Sequence, residues 1–374
     1  MNLDFSNIKV LLIGDFMIDH YIMGTSSRMS PEAPVPIILP EKEYSIPGGT
    51  GNVAMNICVM GGYKSYKDNL YHKGVPFIFC IGAIGTDEWG DKLLSILKGG
   101  TIKEYLEDDS IRFIHHHDQI DVSKIIQGDL PKYDLMDPRR ELDTFRGYIY
   151  TIVKERTYLK EKQIYRLDRE YSQYPLVNNF EVPYLEEINN SVSTTIKNCD
   201  IVILSDYNKG VLNDDTIPHV LNEAKKHNIP VIVDPKKDDF SIYKGANIIT
   251  PNLNELQRAS KIEINDNKSL VSACNELIQE CNFNYIIAKK GDKGMTIVGK
   301  NNFVKHIEAH SVENPDVTGA GDTVIAALSL AFAKTKDIEI STTFANAAAA
   351  VVVGKTGTAT VTIDEINNYI SIDE

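Results

Sequence analysis

The stretch CDIVILSDYNKG, residues 199–210, sets four apolar residues in a row, Ile201 to Leu204, ahead of a polar tail that ends in glycine. An apolar run this short, with no polar residue on alternate positions, reads as a strand buried on both faces. The same form recurs in IPVIVDPKKDDF (229–240), ANIITPNLNE (246–255) and NYIIAKKGDKG (284–294), and near the start in KVLLIGD (9–15). Helical patterns such as IPHVLNEAKKHN (217–228) lie between them. Strands alternating with helices predict an α/β fold with a mostly parallel sheet covered on both faces. Ligands of such sheets bind outside the carboxyl ends of the strands. The tails SDYNKG, VDPKK, TPNLNE and KKGDKG are therefore expected to converge on one edge.

Outward from these runs, TGNVAMNICVMGG (50–62) reads as a helix with a glycine stop, and VPFIFCIGAIGTDEWGDKLLSILK (75–98) as strand, turn and helix. The prolines of PVPIILPEKEYSIPGG (34–49) forbid a helix and favour edge strands and turns. Residues 63–73 and 100–150 are polar and weakly periodic, and read as surface insertions.

The chain has 374 residues, 43% of them hydrophobic, and a formal net charge of −13. These values suit a soluble globular protein. The charge opposes non-specific nucleic-acid binding, which needs a basic face, and requires any anionic ligand to be met by local cations. Five cysteines without CxxC or Cys/His spacing argue against a disulfide framework or a zinc site. HHHD (115–118) reads as a solvated loop rather than a metal site. The N-terminus lacks the features of a signal peptide, and no apolar run reaches the ~18 residues of a membrane span, so a cytoplasmic location is expected.

ENPDVTGAGDTVIAALSLAFA (313–333) places Asp322 at the mouth of an apolar helix, directly after TGAG. One reading is a tight turn in which Asp322 caps backbone N–H groups. The other is an anion hole formed by the amides of Gly319, Ala320 and Gly321, with Asp322 beside it as a base.

DVTGAGD resembles a signature of the ribokinase-like (PfkB) family of carbohydrate kinases, and PGGTGNVAMNI (47–57) resembles that family's other signature. VLLIGDFMIDHYIMGTSSRMSPEAPVPII (10–38), YRLDRE, SDYNKG, DPKKDDFSIYKGANIITPNLNE and ANAAAAVVVGKTGTATV are similar to heptose 7-phosphate kinases, the kinase portion of the bacterial enzymes that make ADP-heptose. The resemblance covers most of residues 8–365. It implies one ribokinase-like domain over 1–374, with a small β lid from about 20–47 and part of 110–170, and no nucleotidyltransferase domain. The implied activity is ATP-dependent phosphorylation of the anomeric hydroxyl of a heptose 7-phosphate. Mg²⁺ is the implied metal, K⁺ a further cation, and a homodimer joined through the lid the implied assembly.

By resemblance, Asp322 is the base, and Asp316 and Thr318 help hold the monovalent cation. Asn252 and Glu255, in the element Asn252-Leu253-Asn254-Glu255, lie one helical turn apart and suit Mg²⁺; the plain alternative is a helix cap plus a surface acid. Lys289, Lys290 and the loop from Gly291 to Gly294 are candidates for nucleotide phosphates, and Asn346 for the adenine. On the acceptor side, Asp15 and Asp19, read as ending the first strand, and Gly48, Gly49, Asn52 and Asp206 are candidates for the sugar; Asp15 also reads as a turn residue. Arg28, Arg166 and Lys209 are candidates for its phosphate, with surface ion pairs as their alternative. The rival functions are a kinase of the same fold with another acceptor, such as a different sugar phosphate, sugar or nucleoside, and a silent sugar- or nucleotide-binding protein. A dehydrogenase is disfavoured because no GxGxxG follows the first strand.

Overall fold

A computed structural model describes residues 3–61, 76–98, 120–128, 150–160, 162–170, 183–309, 312, 315–355 and 357–373. The stretch 63–73 and the HHHD run lie outside these. The chain opens with β1 (Lys9–Gly14) and, one residue later, β2 (Phe16–Thr25); β3 (Leu39–Gly49) runs straight into α1 (Thr50–Met60). There follow β4 (Phe77–Gly85), α2 (Glu88–Leu97), β5 (Ile120–Gly128), β6 (Ile152–Leu159), β7 (Lys162–Arg169) and α3 (Pro183–Thr195). The regular half comprises β8 (Ile201–Ser205), α4 (Thr216–His227), β9 (Val231–Asp234), β10 (Ile248–Ile249), α5 (Leu253–Ser260), α6 (Asn267–Cys281) and β11 (Tyr285–Lys289). It closes with β12 (Met295–Gly299), β13 (Phe303–Ile307), α7 (Ala320–Thr335), α8 (Ile338–Val353) and α9 (Ile363–Asp373).

Nine strands form the main sheet in the order β13-β12-β11-β10-β9-β8-β1-β4-β5. Pairing is parallel from β11 to β5, and antiparallel where β12 and β13 extend the sheet. The uninterrupted apolar runs follow from two-sided burial. Val10 and Leu12 of β1 pack with α1, α2, α7, α8 and α9 on one face, while Leu11 and Ile13 pack with α3 to α6 on the other. Ile201, Ile203 and Val202, Leu204 of β8 divide in the same way. Helices end where the sequence supplies asparagine: Asn228 after α4 and Asn282 after α6 both adopt the left-handed conformation that this side chain tolerates.

The smaller sheet has the order β3-β2-β6-β7. It contains Leu39–Gly49 of the proline-rich extended segment and, in β7, residues 165–169 of YRLDRE. Two expectations are corrected. Residues 120–128, inside the stretch read as a surface insertion, form β5, which pairs in parallel with β4 at the edge of the main sheet; Asp121, Ser123, Lys124 and Gln127 interrupt its apolar run and hid it. Asp19 does not end the first strand but lies within β2 of the small sheet, because the chain changes sheets at Asp15.

That change of sheet leaves no room at Gly14, where a Cβ would stand 2.1 Å from the Ser205 carbonyl oxygen and 2.5 Å from Thr50 Oγ1. Gly14→Ala is expected to lower the unfolding free energy by about 2 kcal/mol or more, the scale of overpacking a close-packed contact. Urea denaturation of variant and wild type checks this, and equal midpoints would show that the three backbones can part.

Candidate functional site

The switch point of the main sheet lies at β1, flanked by β4 and β8, and the polar tails gather beyond the carboxyl ends of β1, β8, β9, β10 and β11. Here α7 begins. Gly319 precedes it at φ 75, a left-handed conformation, and a Cβ there would meet Asn52 Nδ2 at 2.8 Å. No side chain caps the helix start. The amide of Ala320 turns back to the Val317 carbonyl at 3.2 Å, so of the three amides expected to line the anion hole this one is already engaged.

Asp322 does not cap its own helix. It is 7% exposed, with Oδ2 accepting from Asn52 Nδ2 at 2.8 Å and Oδ1 accepting from the Tyr207 hydroxyl. Asn52 is held in turn by Asn56, whose Nδ2 donates to the Asn52 carbonyl oxygen at 3.0 Å and whose Oδ1 accepts from Thr323 Oγ1 at 3.1 Å. This polar chain ties α1 to α7, and each buried member has a partner. Burial pushes the Asp322 carboxyl up to about 7; the bonds from Tyr207 and Asn52 oppose the rise, and the charges of Asp234 and Asp19 add to it.

On one side of Asp322 stand Asp234 and Lys289, whose Oδ1 and Nζ are 2.5 Å apart. A Cβ on Gly321 would be 3.6 Å from Lys289 Nζ and 3.8 Å from Asp234 Oδ2, so this pair faces the start of α7. Burial works against the Lys289 charge, but the carboxylates of Asp234 and Glu255 outweigh it and hold the ammonium above its usual range. Asn252 and Glu255 form a capping box at α5: Asn252 Oδ1 accepts the Glu255 amide at 2.9 Å and Glu255 Oε2 accepts the Asn252 amide at 2.9 Å. The cap reading is thus present, but Glu255 is no surface acid; it is 4% exposed, with Oε1 3.2 Å from Lys236 Nζ. Leu253 packs toward the core and Asn254 is exposed. Gly291 (φ 63) and Gly294 (φ 77) shape the turn after β11, and a Cβ on Gly294 would meet the Ile307 carbonyl oxygen at 2.1 Å. Burial and neighbouring Lys293 lower the Lys290 ammonium. Asn346 is buried on α8 and donates to the Glu308 carbonyl at 2.8 Å.

On the other side lies the small sheet. Asp15 is 1% exposed and accepts the amides of Tyr207 (3.1 Å), Lys209 (3.0 Å) and Val211 (3.1 Å). It organises the SDYNKG loop from beneath, which is the turn reading; burial and neighbouring Asp206 push it up to about 6. Asp206 accepts the Tyr243 hydroxyl and the Asn208 amide, each at 2.6 Å. Asp19 bonds Arg156 at 2.6 Å and Thr358 Oγ1 at 3.2 Å, and a Cβ on Gly48 would strike its Oδ2 at 2.6 Å. Gly49 has φ 55 at the entry to α1. Of the three cations expected for a phosphate, Lys209 pairs with Glu170 at 2.5 Å, Arg166 forks onto Asp168 at 2.7 and 2.8 Å, and Arg28 is exposed with no ion pair among the described residues. Asp316 accepts the amides of Thr318 (3.0 Å) and Gly357 (2.7 Å); its carboxyl lies below its usual range because these bonds outweigh burial.

The sequence reading passed over Tyr207, Asp234, Lys236, Arg156 and Thr358. Tyr207 and Asp234 were legible by position, since both sit in strand-end tails already singled out; Arg156 and Thr358 carry no such mark.

A large mostly parallel sheet with a four-stranded second sheet beside a buried acid at a TGAG helix start defines the ribokinase-like α/β class of carbohydrate kinase. Residues 173–365 match the family described as pfkB family carbohydrate kinase, and the chain belongs to that family. It is 36% identical over 361 residues to the bifunctional protein HldE of Sulfurimonas denitrificans and 35% identical over 372 residues to that of Granulibacter bethesdensis. These alignments cover 96% and 97% of this chain but 64% and 65% of those proteins, so the chain spans less than two thirds of their length. Similar solved structures include phosphofructokinase-2 from Escherichia coli in complex with fructose-6-phosphate, with TM-score 0.68, 16% identity and coverage of 99% of this chain and 100% of that one. Arabidopsis thaliana ribokinase complexed with ribose and ATP gives TM-score 0.62, 18% identity and coverage of 98% and 99%. At these identities the likeness speaks for the fold. Among the described residues no helix is long and apolar enough to cross a membrane.

With its carboxyl at about 7, Asp322 could accept a proton only once deprotonated, so if it is the base of the reaction kcat/KM should fall as pH drops through that value. Tyr207 donates to the carboxylate and so favours the ionised form. Tyr207→Phe should move the acid limb of the kcat/KM profile alkaline by about 1–2 pH units, the equivalent of one hydrogen bond to a charged group. A variant limb superposed on the wild-type limb would show that the phenol does not tune the base.

Proposed function

We propose that the chain transfers the γ-phosphoryl group of ATP to the anomeric hydroxyl of a heptose 7-phosphate, giving heptose 1,7-bisphosphate for nucleotide-sugar synthesis. The observation that carries this is Asp322, a buried carboxylate of raised proton affinity between a lysine-bearing phosphate side and a roofed acceptor side. The similarity to HldE over nearly the whole chain supports the choice of acceptor. The acceptor oxygen attacks the γ-phosphorus as its proton passes to Asp322; the new O–P bond forms while the bond from phosphorus to the β–γ bridging oxygen breaks, and ADP leaves. Lys289 lies where the transferred group would pass, and can exchange Asp234 for phosphate oxygens. The small sheet excludes water from the acceptor, which limits hydrolysis of ATP. The proposed homodimer joins through this sheet, which exposes Leu39 on one edge strand and Ile164 and Tyr165 on the other.

The donor set fits Mg²⁺ brought in with the nucleotide. Among the described residues no group of three or more His, Cys, Asp or Glu side chains gathers to hold a metal, whereas Glu255 offers one buried carboxylate of the kind that binds a hydrated ion through water, with Asn252 beside it. When bound, the ion neutralises charge on the phosphates.

A second reading has support from the ion pairs. Lys209 and Arg166 are each held by a carboxylate, as suits a kinase whose acceptor carries no phosphate. A panel of sugars and sugar phosphates, read by ADP release, decides between the two; a preference for unphosphorylated sugars overturns the heptose 7-phosphate reading. Asp322→Asn should lower turnover at least ~10²-fold with ATP binding retained, the scale for loss of a positioned base. Near-normal turnover in a folded variant would remove Asp322 from the chemistry. Glu255→Gln should raise the Mg²⁺ concentration for half-maximal rate, and superposed magnesium titrations would show that Glu255 does not hold the ion.

A further inference from the structure

Where the small sheet meets the ends of β1 and β8, three carboxylates face four cations. Asp19 holds Arg156, Asp168 holds Arg166, and Glu170 holds Lys209. The fourth cation, Lys154 on β6, is half-buried and pairs with none of them, although Asp19, Glu170 and Asp168 are near enough to favour its charge. Desolvation nevertheless prevails and lowers the ammonium below its usual range. In a chain of net charge −13, a partly buried cation with no ion pair among the described residues is a costly feature, because burial penalises its charge. It makes sense where an anion arrives to meet it.

The position says which anion. Lys154 Nζ stands 5.4 Å from the centroid of the Tyr207 ring, and the hydroxyl of that ring is bonded to Asp322. A cation–π contact orients the ammonium but does not replace a counter-ion. Lys154 therefore lies across one aromatic ring from the base, on the side of the small sheet, whereas Lys289 and Asp234 occupy the other side. A sugar with its reacting hydroxyl at Asp322 and a phosphate at the far end of its ring spans a comparable offset. We propose that Lys154 receives the acceptor's own phosphate, a phosphomonoester dianion; this rests on the sugar-phosphate kinase reading above. Because β6 belongs to the small sheet, the same contact would draw the lid over the sugar. Lys209 and Arg166, each already holding a carboxylate, need not be released for this.

Lys154→Met keeps the apolar stem over Tyr207 and removes the charge. The test measures steady-state rates of the full chain with ATP on heptose 7-phosphate and on the same heptose without phosphate, for wild type, Lys154→Met and Lys154→Arg. The ratio of kcat/KM between phosphorylated and free sugar should fall at least about tenfold in Lys154→Met, mainly through KM, the scale of one hydrogen bond to a charged group. Lys154→Arg should recover most of it. Equal losses on the two sugars, which a purely structural lysine would give, overturn the assignment. A wild type that phosphorylates free sugars but no sugar phosphate overturns the acceptor reading and this one with it. Wild-type preference for the phosphate, kept unchanged in Lys154→Met, overturns the role of Lys154 alone.

Discussion

The site is arranged around one carboxylate held out of water. Asp322 sits at the first turn of α7, where the helix dipole favours negative charge, and receives one hydrogen bond from α1 and one from the loop after β8. Neither donor arrives by itself. Asn52 comes into place because Gly48 and Gly49 let β3 turn directly into α1 beneath Asp19 and Met17. Tyr207 comes into place because Asp15 gathers three amides of its loop. Burial raises the proton affinity of the acid toward neutrality, and the two donors keep the rise from going further. Asp15 serves this arrangement from below, with its carboxylate oxygens turned to backbone rather than to an open face.

Charge is managed by the same economy. The chain is strongly acidic, yet both sides of Asp322 carry cations, and most of them are held ready by a carboxylate: Lys289 by Asp234, Lys236 by Glu255, Arg156 by Asp19. Such pairs keep each cation placed before a ligand arrives, and the ligand gains only the difference between its own contact and the one it displaces. A cation with no ion pair among the described residues has no such exchange to make, which is why Lys154 and Lys209 differ although both lie on the side of the small sheet.

The fold was legible because its decisive signal is local. Runs such as IVIL in β8 are apolar at every position only when helices cover both faces, and glycine and asparagine mark the turns between elements. The edge strand β5 was not legible, since Asp121, Ser123 and Lys124 break the apolar run in DVSKIIQG and mimic an insertion. At the site, Asp322, Asn52, Glu255 and Lys289 could be singled out from strand-end position and glycine spacing. Pairing could not. Nothing in YRLDRE says that Arg166 turns to Asp168 two residues on, and nothing in SDYNKG says that Asp206 faces Tyr243 while Tyr207 crosses to Asp322. Those outcomes depend on which side chains face one another after two sheets and two helices have packed.

The two sheets are not independent parts. Only Asp15 separates β1 from β2, so the small sheet joins the main one at the residue that also shapes the Tyr207 loop. A second line of contacts joins them on the far side: Asp19 and Tyr21 of β2 both bond Thr358, the amide of its neighbour Gly357 donates to Asp316, and Asp316 caps Thr318 at the entrance to the Gly319 turn. A movement of the small sheet would therefore pull on both ends of the site, through Asp15 on the loop that touches Asp322 and through Thr358 on the turn that precedes it. In this geometry the small sheet, Asp322 and its glycine turn are set by one packing event, because the residues that carry each are bonded in a continuous chain.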